Sequence, residues 1–381
     1  MQQKKLAIFE IILATSIGFC SMMYFMYYCR THDPDRLFKD YSSGLIPFNL
    51  ATWALYINGF QSRSSDGTWG YWVASSDRKN VFDPPTSSVS LYHPKEGFYS
   101  CKNKSLIRKQ LSDLESAGIS AIIVPWYSAN KDEVYPGTNS HSDKALFRLL
   151  NIAEETTIKV GILIPRYNNR SWDTIIKDIA SFTNIFGMKT SILKDQSRPV
   201  FLIQDAQHLD NTMESLSKIR RTYLDCFFIG CFNTLSEYTE GVQDGFDAVS
   251  TFYPTDEFTW ASNTSNWKLL REEMKSRSVP FIASVSPGYD STRSSFNKFS
   301  PVMRNGGKHY DERWQKAIAI GSNIVLVNSY NNWVENTGIE PVIETSNYGL
   351  TDTNWKGSDP NAFITATRKW TKRLMNVQES E

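Results

Sequence analysis

One feature constrains the fold more than any other: short apolar runs rich in β-branched and aromatic residues recur along the chain, with amphipathic helical stretches between most of them. Strand candidates fall at 119–127 ("ISAIIVPWY"), 159–164 ("KVGILI"), 199–205 ("PVFLIQD"), 226–232 ("CFFIGCF"), 246–253 ("FDAVSTFY"), 279–285 ("VPFIASV") and 323–329 ("NIVLVNS"). A further run at 50–57 brings the set to about eight. The intervening stretches 104–118, 142–156 and 171–184 carry apolar residues at helical spacing, the first ending on a glycine suited to a C-cap. Continuously apolar strands separated by helices belong to a parallel sheet covered on both faces. The pattern therefore predicts an α/β fold, a (β/α)8 TIM-like barrel over 48–381, with a doubly wound open sheet as the alternative. No glycine-rich phosphate loop follows an early strand, which weakens the nucleotide-binding form of that alternative.

In such a barrel the functional residues follow the strands' C-terminal ends. Those segments read "PWYSANKDE", "PRYNNRSWD", "QDAQHLD", "FNTLSEYTE", "STFYPTDEFTW", "SPGYDSTRS" and "NSYNNWVENTGIE". Aromatic faces interleaved with amides and carboxylates suit a carbohydrate cleft, because sugars present C–H faces and hydroxyls together. The plain alternative is that loops are polar anyway and that Trp and Tyr plug barrel mouths.

Lys and Arg number 41 against 40 Asp and Glu, so no concentrated basic face points to nucleic acid. The segment 6–28 is apolar and long enough to cross a bilayer, although Glu10 lies within it. It lacks a small-residue cleavage site, so the expectation is an uncleaved anchor: a cytoplasmic tail 1–5, a transmembrane segment 6–28, a stalk 29–47 and a lumenal domain. The charges flanking the span, Lys4 and Lys5 before it and Arg30 and Arg36 after it, do not fix orientation; the large C-terminal domain favours type II. Sequons at Asn103, Asn169 and Asn263 permit that compartment. Outside the anchor region the cysteines are Cys101, Cys226 and Cys231, without zinc-like spacing, and neither metal nor cofactor is expected.

Several stretches carry a resemblance. "YHPKEGFYSCKNKSLIRKQLSDLESAGISAIIVPWY", "GFDAVSTFYPTDEFTWASNTSNW", "IASVSPGYDSTRS", "RNGGKHYDERWQKAI", "NSYNNWVENTGIEPV" and "ATRKW" follow one another as in the endo-α-mannosidases of glycoside hydrolase family 99. The resemblance spans about residues 91–370. It implies a (β/α)8 barrel, a Golgi type II membrane protein, and retaining cleavage within the mannose arm of high-mannose N-glycans without a metal. It also implies that Glu335 is the general acid and that Asn332 stands where the family has a glutamate base acting on the substrate's own 2-hydroxyl. Trp126, Tyr127, Tyr167, Asp205, Tyr253, Tyr289, Asn331, Trp333 and Glu340 are the implied sugar contacts.

The departures matter as much. An amide cannot hold a proton as a carboxylate does, so the base role does not carry over to Asn332. "IPRY" replaces a substrate-contacting glutamate of the family with Pro165 and adds Arg166, and Phe252 stands where a tyrosine is usual. Replacement bases to consider are Glu340, Asp290, Asp256 and Glu257, each with a plain reading as a loop acid. Two functions stay open: a hydrolase of altered or reduced activity, and a catalytically silent, lectin-like glycan binder. A type II glycosyltransferase would want an Asp-x-Asp site, which no strand end supplies.

Overall fold

The apolar runs pair edge to edge in a computed structural model that describes residues 51–73, 82–127, 139–294, 299–343 and 359–378. The strands are β1 (Ala51–Leu55), β2 (Ala121–Pro125), β3 (Lys159–Ile164), β4 (Lys194–Asp195), β5 (Arg198–Ile203), β6 (Phe227–Cys231), β7 (Ala248–Ser250), β8 (Phe281–Val285) and β9 (Ile324–Val327). All pairings are parallel except β4 with β5, a short hairpin that no apolar run announced. β1 lies between β2 and β9, and β3 pairs with β5, so the eight parallel strands close into a ring. The predicted barrel is present and the open sheet is not. The anchor and stalk expected at 6–47 lie outside the described residues; among the described ones no helix is long and apolar enough to cross a membrane.

Alternation along each strand sends side chains to two cores. Trp53, Leu55, Ile123, Leu163, Leu202, Ile229, Ile282 and Leu326 fill the lumen. Their neighbours Ala54, Ile122, Ile162, Phe201, Phe228, Ala283 and Val325 face the helical layer. The lumen is thus packed, and ligand space is left only above it. At Gly161 a side chain would meet Ile123 Cδ1 at 2.8 Å, which is why β3 can pass so close to β2 there.

Local capping fixes where each helix starts. Asn103 Oδ1 accepts the amides of Ser105 and Leu106 at the head of the Lys104–Ser116 helix, and Gly118, at φ 78°, closes its end. Ser171 and Thr174 form a capping box before the Trp172–Phe186 helix, as do Thr234 and Glu237 before Leu235–Asp244. The helix predicted from 142 begins earlier, at Asn139.

Two segments singled out in the sequence meet on the outside of the barrel. The Lys308–Ala319 and Ala362–Gln378 helices pack through Trp314 against Trp370, rings 6.3 Å apart and stacked. Trp370 Nε1 donates to Asp311 Oδ1 at 2.6 Å, and the Tyr310 and Thr367 hydroxyls lie 2.8 Å apart. The three cysteines outside the anchor region are free and buried.

Replacing Trp370, which is 2% exposed, by alanine leaves a cavity between these helices and removes a charge-assisted hydrogen bond; the expected loss is about 3–5 kcal/mol in denaturant unfolding. A loss below about 1 kcal/mol would show that the C-terminal helix does not hold the barrel closed.

Candidate active site

The segment after β9 folds back on itself at the barrel mouth. Ser329 N–H donates to Thr337 O at 3.1 Å, Thr337 N–H to Asn332 O at 3.2 Å, and Glu340 N–H to Tyr330 O at 2.8 Å. The Ser329 hydroxyl accepts the Asn332 amide at 2.7 Å, which starts a single turn. Asn332 and Glu335, three residues apart, therefore project together. Asn332 Nδ2 donates to Glu335 Oε2 at 2.8 Å, and the Glu335 backbone N–H donates to Asn332 Oδ1 at 3.2 Å. Because a backbone N–H can only donate, this pairing also fixes which end of the carboxamide is the oxygen.

Glu335 is partly exposed at the mouth, yet burial lifts its pKa from 4.5 to about 7, against the opposing pull of the Asn332 amide. A carboxyl that keeps its proton to about neutrality can deliver it to a leaving oxygen. The turn carrying it is clamped from two sides. Asp290 N–H donates to Glu335 O at 2.9 Å, and Asn336, in the left-handed region at φ 54°, returns Nδ2 to Asp290 O at 2.6 Å. Asn336 Oδ1 accepts Leu91 N–H at 2.8 Å. Arg304 Nη2 donates to the Asn336 and Gly338 carbonyls, both at 2.8 Å, from between the rings of Tyr92 and Phe363.

Aromatic residues stand beside this turn. Tyr289 directly precedes Asp290; burial pushes its hydroxyl up to about 12, and the nearby Glu335 charge adds to the shift. Phe258 meets the Tyr289 ring edge-on at 4.8 Å and stacks on Phe299 at 3.9 Å and on Tyr253 at 5.6 Å. Tyr253 OH donates to Asp205 Oδ1 at 2.8 Å, while Arg170 holds the Gln204 and Asp205 carbonyls at 2.5 and 2.8 Å. Asp205, Tyr253, Tyr289, Asn332 and Glu335 thus come from the ends of β5, β7, β8 and β9. Phe252 instead drops into the lumen core.

Other residues expected at the sugar lie elsewhere. Glu340 is buried beneath the turn, where its carboxylate accepts Tyr99 OH at 2.7 Å, Gln110 Nε2 at 2.7 Å and Trp333 Nε1 at 2.8 Å. Asn331, fully buried, is bound to both the N–H and the C=O of Ile57, at 2.6 and 3.0 Å. Asn331, Trp333 and Glu340 thus tie the turn to Ile57, just past β1, and to Tyr99 and Gln110. Tyr167 gives its hydroxyl to Asp178 at 2.9 Å and Trp126 gives Nε1 to Asp143 at 2.9 Å, so both polar ends are committed to the helical layer rather than to a ligand. Tyr127 is half-buried beside residues 128–138, which lie outside the described set.

Three of the four possible replacement bases are engaged. Asp256 is paired with the buried Arg313 at 2.7 Å, and Asp290 Oδ1 accepts the amide and hydroxyl of Thr292 at 2.9 and 2.6 Å. Glu257 is exposed in a left-handed turn, and Glu340 faces away. Among the described residues no group of three His, Cys, Asp or Glu could hold a metal. Sequence reasoning missed Phe258, Phe299, Asn336 and Arg304 as parts of the site. The last had a signal, since "RNGG" opens one of the singled-out segments.

Comparison with known proteins follows the same lines. The profile of glycosyl hydrolase family 99 matches residues 49–376. The chain is 23% identical over 354 residues to a glycoprotein endo-alpha-1,2-mannosidase of Mus musculus, covering 87% of this chain and 76% of that one. It is 24% identical over 351 residues to a glycoprotein endo-alpha-1,2-mannosidase-like protein of Homo sapiens, covering 86% and 76%. Among solved structures it resembles an endo-alpha-mannosidase from Bacteroides thetaiotaomicron with a TM-score of 0.75 at 24% identity, covering 86% of this chain and 98% of that one.

The elevated Glu335 pKa has a consequence for stability. Between pH 4.5 and about 7 the folded state holds a proton that the unfolded chain has released, so Glu335 costs increasing stability as pH rises through that window. Glu335→Gln is expected to match the wild type at pH 4 and to exceed it by about 1–3 kcal/mol at pH 8 in urea unfolding. An advantage that is flat with pH would show that Glu335 is not desolvated.

Proposed function

Because the chain belongs to glycosyl hydrolase family 99, we propose that its mouth binds the mannose arm of N-glycans, with Glu335 as general acid. The observation that carries this is the pairing of a desolvated Glu335 with Asn332 on one turn, in the position where the family resemblance calls for two carboxylates. Asp205, Tyr253 and Tyr289 are the proposed sugar contacts, with Phe258 and Phe299 supporting the aromatic face. Retaining cleavage needs one group to protonate the leaving oxygen and another to attack or to activate the attacker. On this turn only the first is present as a carboxyl. General base assistance contributes about 10²–10⁴-fold, so hydrolysis of ordinary α-mannosides is reduced by at least about 10²-fold relative to a two-glutamate site.

The same observation supports a second reading, a lectin-like protein that binds the glycan without turnover. The apolar stretch 6–28 supports placing the domain in the lumen of the Golgi or another secretory compartment on a type II anchor.

These readings separate in an assay of the full-length, detergent-solubilised protein on a glucosylated high-mannose glycan. Asn332→Glu is expected to raise turnover by about 10²-fold or more, and Glu335→Gln to abolish whatever turnover exists. Binding with no turnover by either the wild type or Asn332→Glu would leave the lectin-like reading; no binding at all would sink both.

A further inference from the structure

Asn332 can serve a different nucleophile from the one that a glutamate serves. A substrate hydroxyl must shed its proton as it attacks, and among the described residues the acids Asp205, Asp256, Asp290 and Glu340 are all engaged, while Glu257 is turned out to solvent. An acetamido oxygen attacks without losing a proton. What it needs is a hydrogen-bond acceptor that orients the amide and takes its N–H as positive charge develops, and an amide oxygen can fill that role.

Asn332 has that capacity left over. Its carboxamide has two N–H donors and room for two bonds at the oxygen; one donor goes to Glu335 Oε2 and one acceptor site takes the Glu335 N–H. One donor and one acceptor site remain, the complement of a secondary amide. Its backbone is pinned by Ser329 Oγ and its side chain by Glu335, so this complement is held in a fixed direction. Phe258, partly exposed and packed edge-on 4.8 Å from the buried Tyr289 ring that precedes Asp290, supplies an apolar surface of the kind an acetamido methyl needs.

Resting on the reading of this mouth as a family 99 sugar site, we infer that its substrate is a 1,2-trans glycoside bearing a 2-acetamido group, whose carbonyl is the nucleophile and whose N–H binds Asn332. The acetamido oxygen forms a bond to C1 while the C1–O bond to the leaving group breaks, and the Glu335 proton passes to the departing oxygen. The resulting bicyclic oxazolinium keeps its N–H on Asn332 Oδ1. Water then adds at C1, the C1–O bond to the acetamide breaks, and the Glu335 carboxylate takes the water's proton. The net reaction is hydrolysis with retention, and no base at position 332 is required.

The test uses the full-length protein in detergent with three methylumbelliferyl glycosides: 2-acetamido-2-deoxy-α-mannoside, 2-acetamido-2-deoxy-β-glucoside and the ordinary α-mannoside. The wild type should cleave one of the acetamido substrates with kcat/KM about 10²-fold or more above the α-mannoside, with retention by NMR, and a thiazoline analogue of that sugar should inhibit it. Glu335→Gln should remove that turnover, and Asn332→Glu should shift preference toward the α-mannoside. Equal or faster cleavage of the α-mannoside by the wild type overturns the inference. So does a wild type inert on both acetamido sugars while Asn332→Glu cleaves the α-mannoside, a result that leaves the family 99 reading standing. If no protein cleaves any substrate and none binds a high-mannose glycan, both fall.

Discussion

Pairing of β3 with β5 closes the parallel ladder, and most of what the molecule can do depends on it. A closed ring has no free edge, so the backbone groups of each strand find partners on both sides. Parallel strands in a ring also end on one rim. Residues separated by more than a hundred positions, Asp205 and Glu335 among them, are thereby brought to one mouth. The lumen below is filled by Trp53, Phe227, Ile282, Leu326 and their neighbours, which gives that rim a solid floor.

On this floor the turn carrying Glu335 is held by contacts from three other loops. A guanidinium as buried as that of Arg304 is costly to desolvate, and burial lowers its pKa to about 10. Two carbonyls and two aromatic faces offset that cost. Gly288 lets the chain carrying Arg304 cross at this point, since a Cβ there would lie 2.7 Å from Val302 O. Glu340, although it sits on the same strand-end segment as Glu335, does the opposite job. Both carboxyls are pushed up to about 7 by burial, but Glu340 is met by three donors inside the protein and Glu335 by one amide at the mouth. The first arrangement anchors a loop; the second leaves a proton free to move.

An amide rather than a carboxylate at position 332 sets what this turn can do chemically. Asparagine retains the turn geometry, accepts the Glu335 N–H and steadies the acid, so nothing in the fold resists it. What an asparagine cannot do is take a proton from a hydroxyl. What it offers is a donor and an acceptor side by side, at a mouth where Asp205, Asp256 and Asp290 are already engaged.

The sequence by itself determined the strand and helix order, the loops that would form the mouth, and the i, i+3 placement of Asn332 and Glu335, because strand alternation, helical periodicity and caps are all encoded by neighbours along the chain. It could not determine which way the residues of one loop would face. Asn331, Trp333 and Glu340 read as site residues from their position after the last strand, yet they point inward because Tyr99, Gln110 and Ile57, more than two hundred residues away, supply their partners. Tyr167 and Trp126 were turned in the same way by acids on the helices, and Arg304 and Asn336 became part of the site only through carbonyls and amides of other loops. A polar side chain at a barrel mouth takes the direction in which its hydrogen bonds are satisfied, and those bonds are set by tertiary structure.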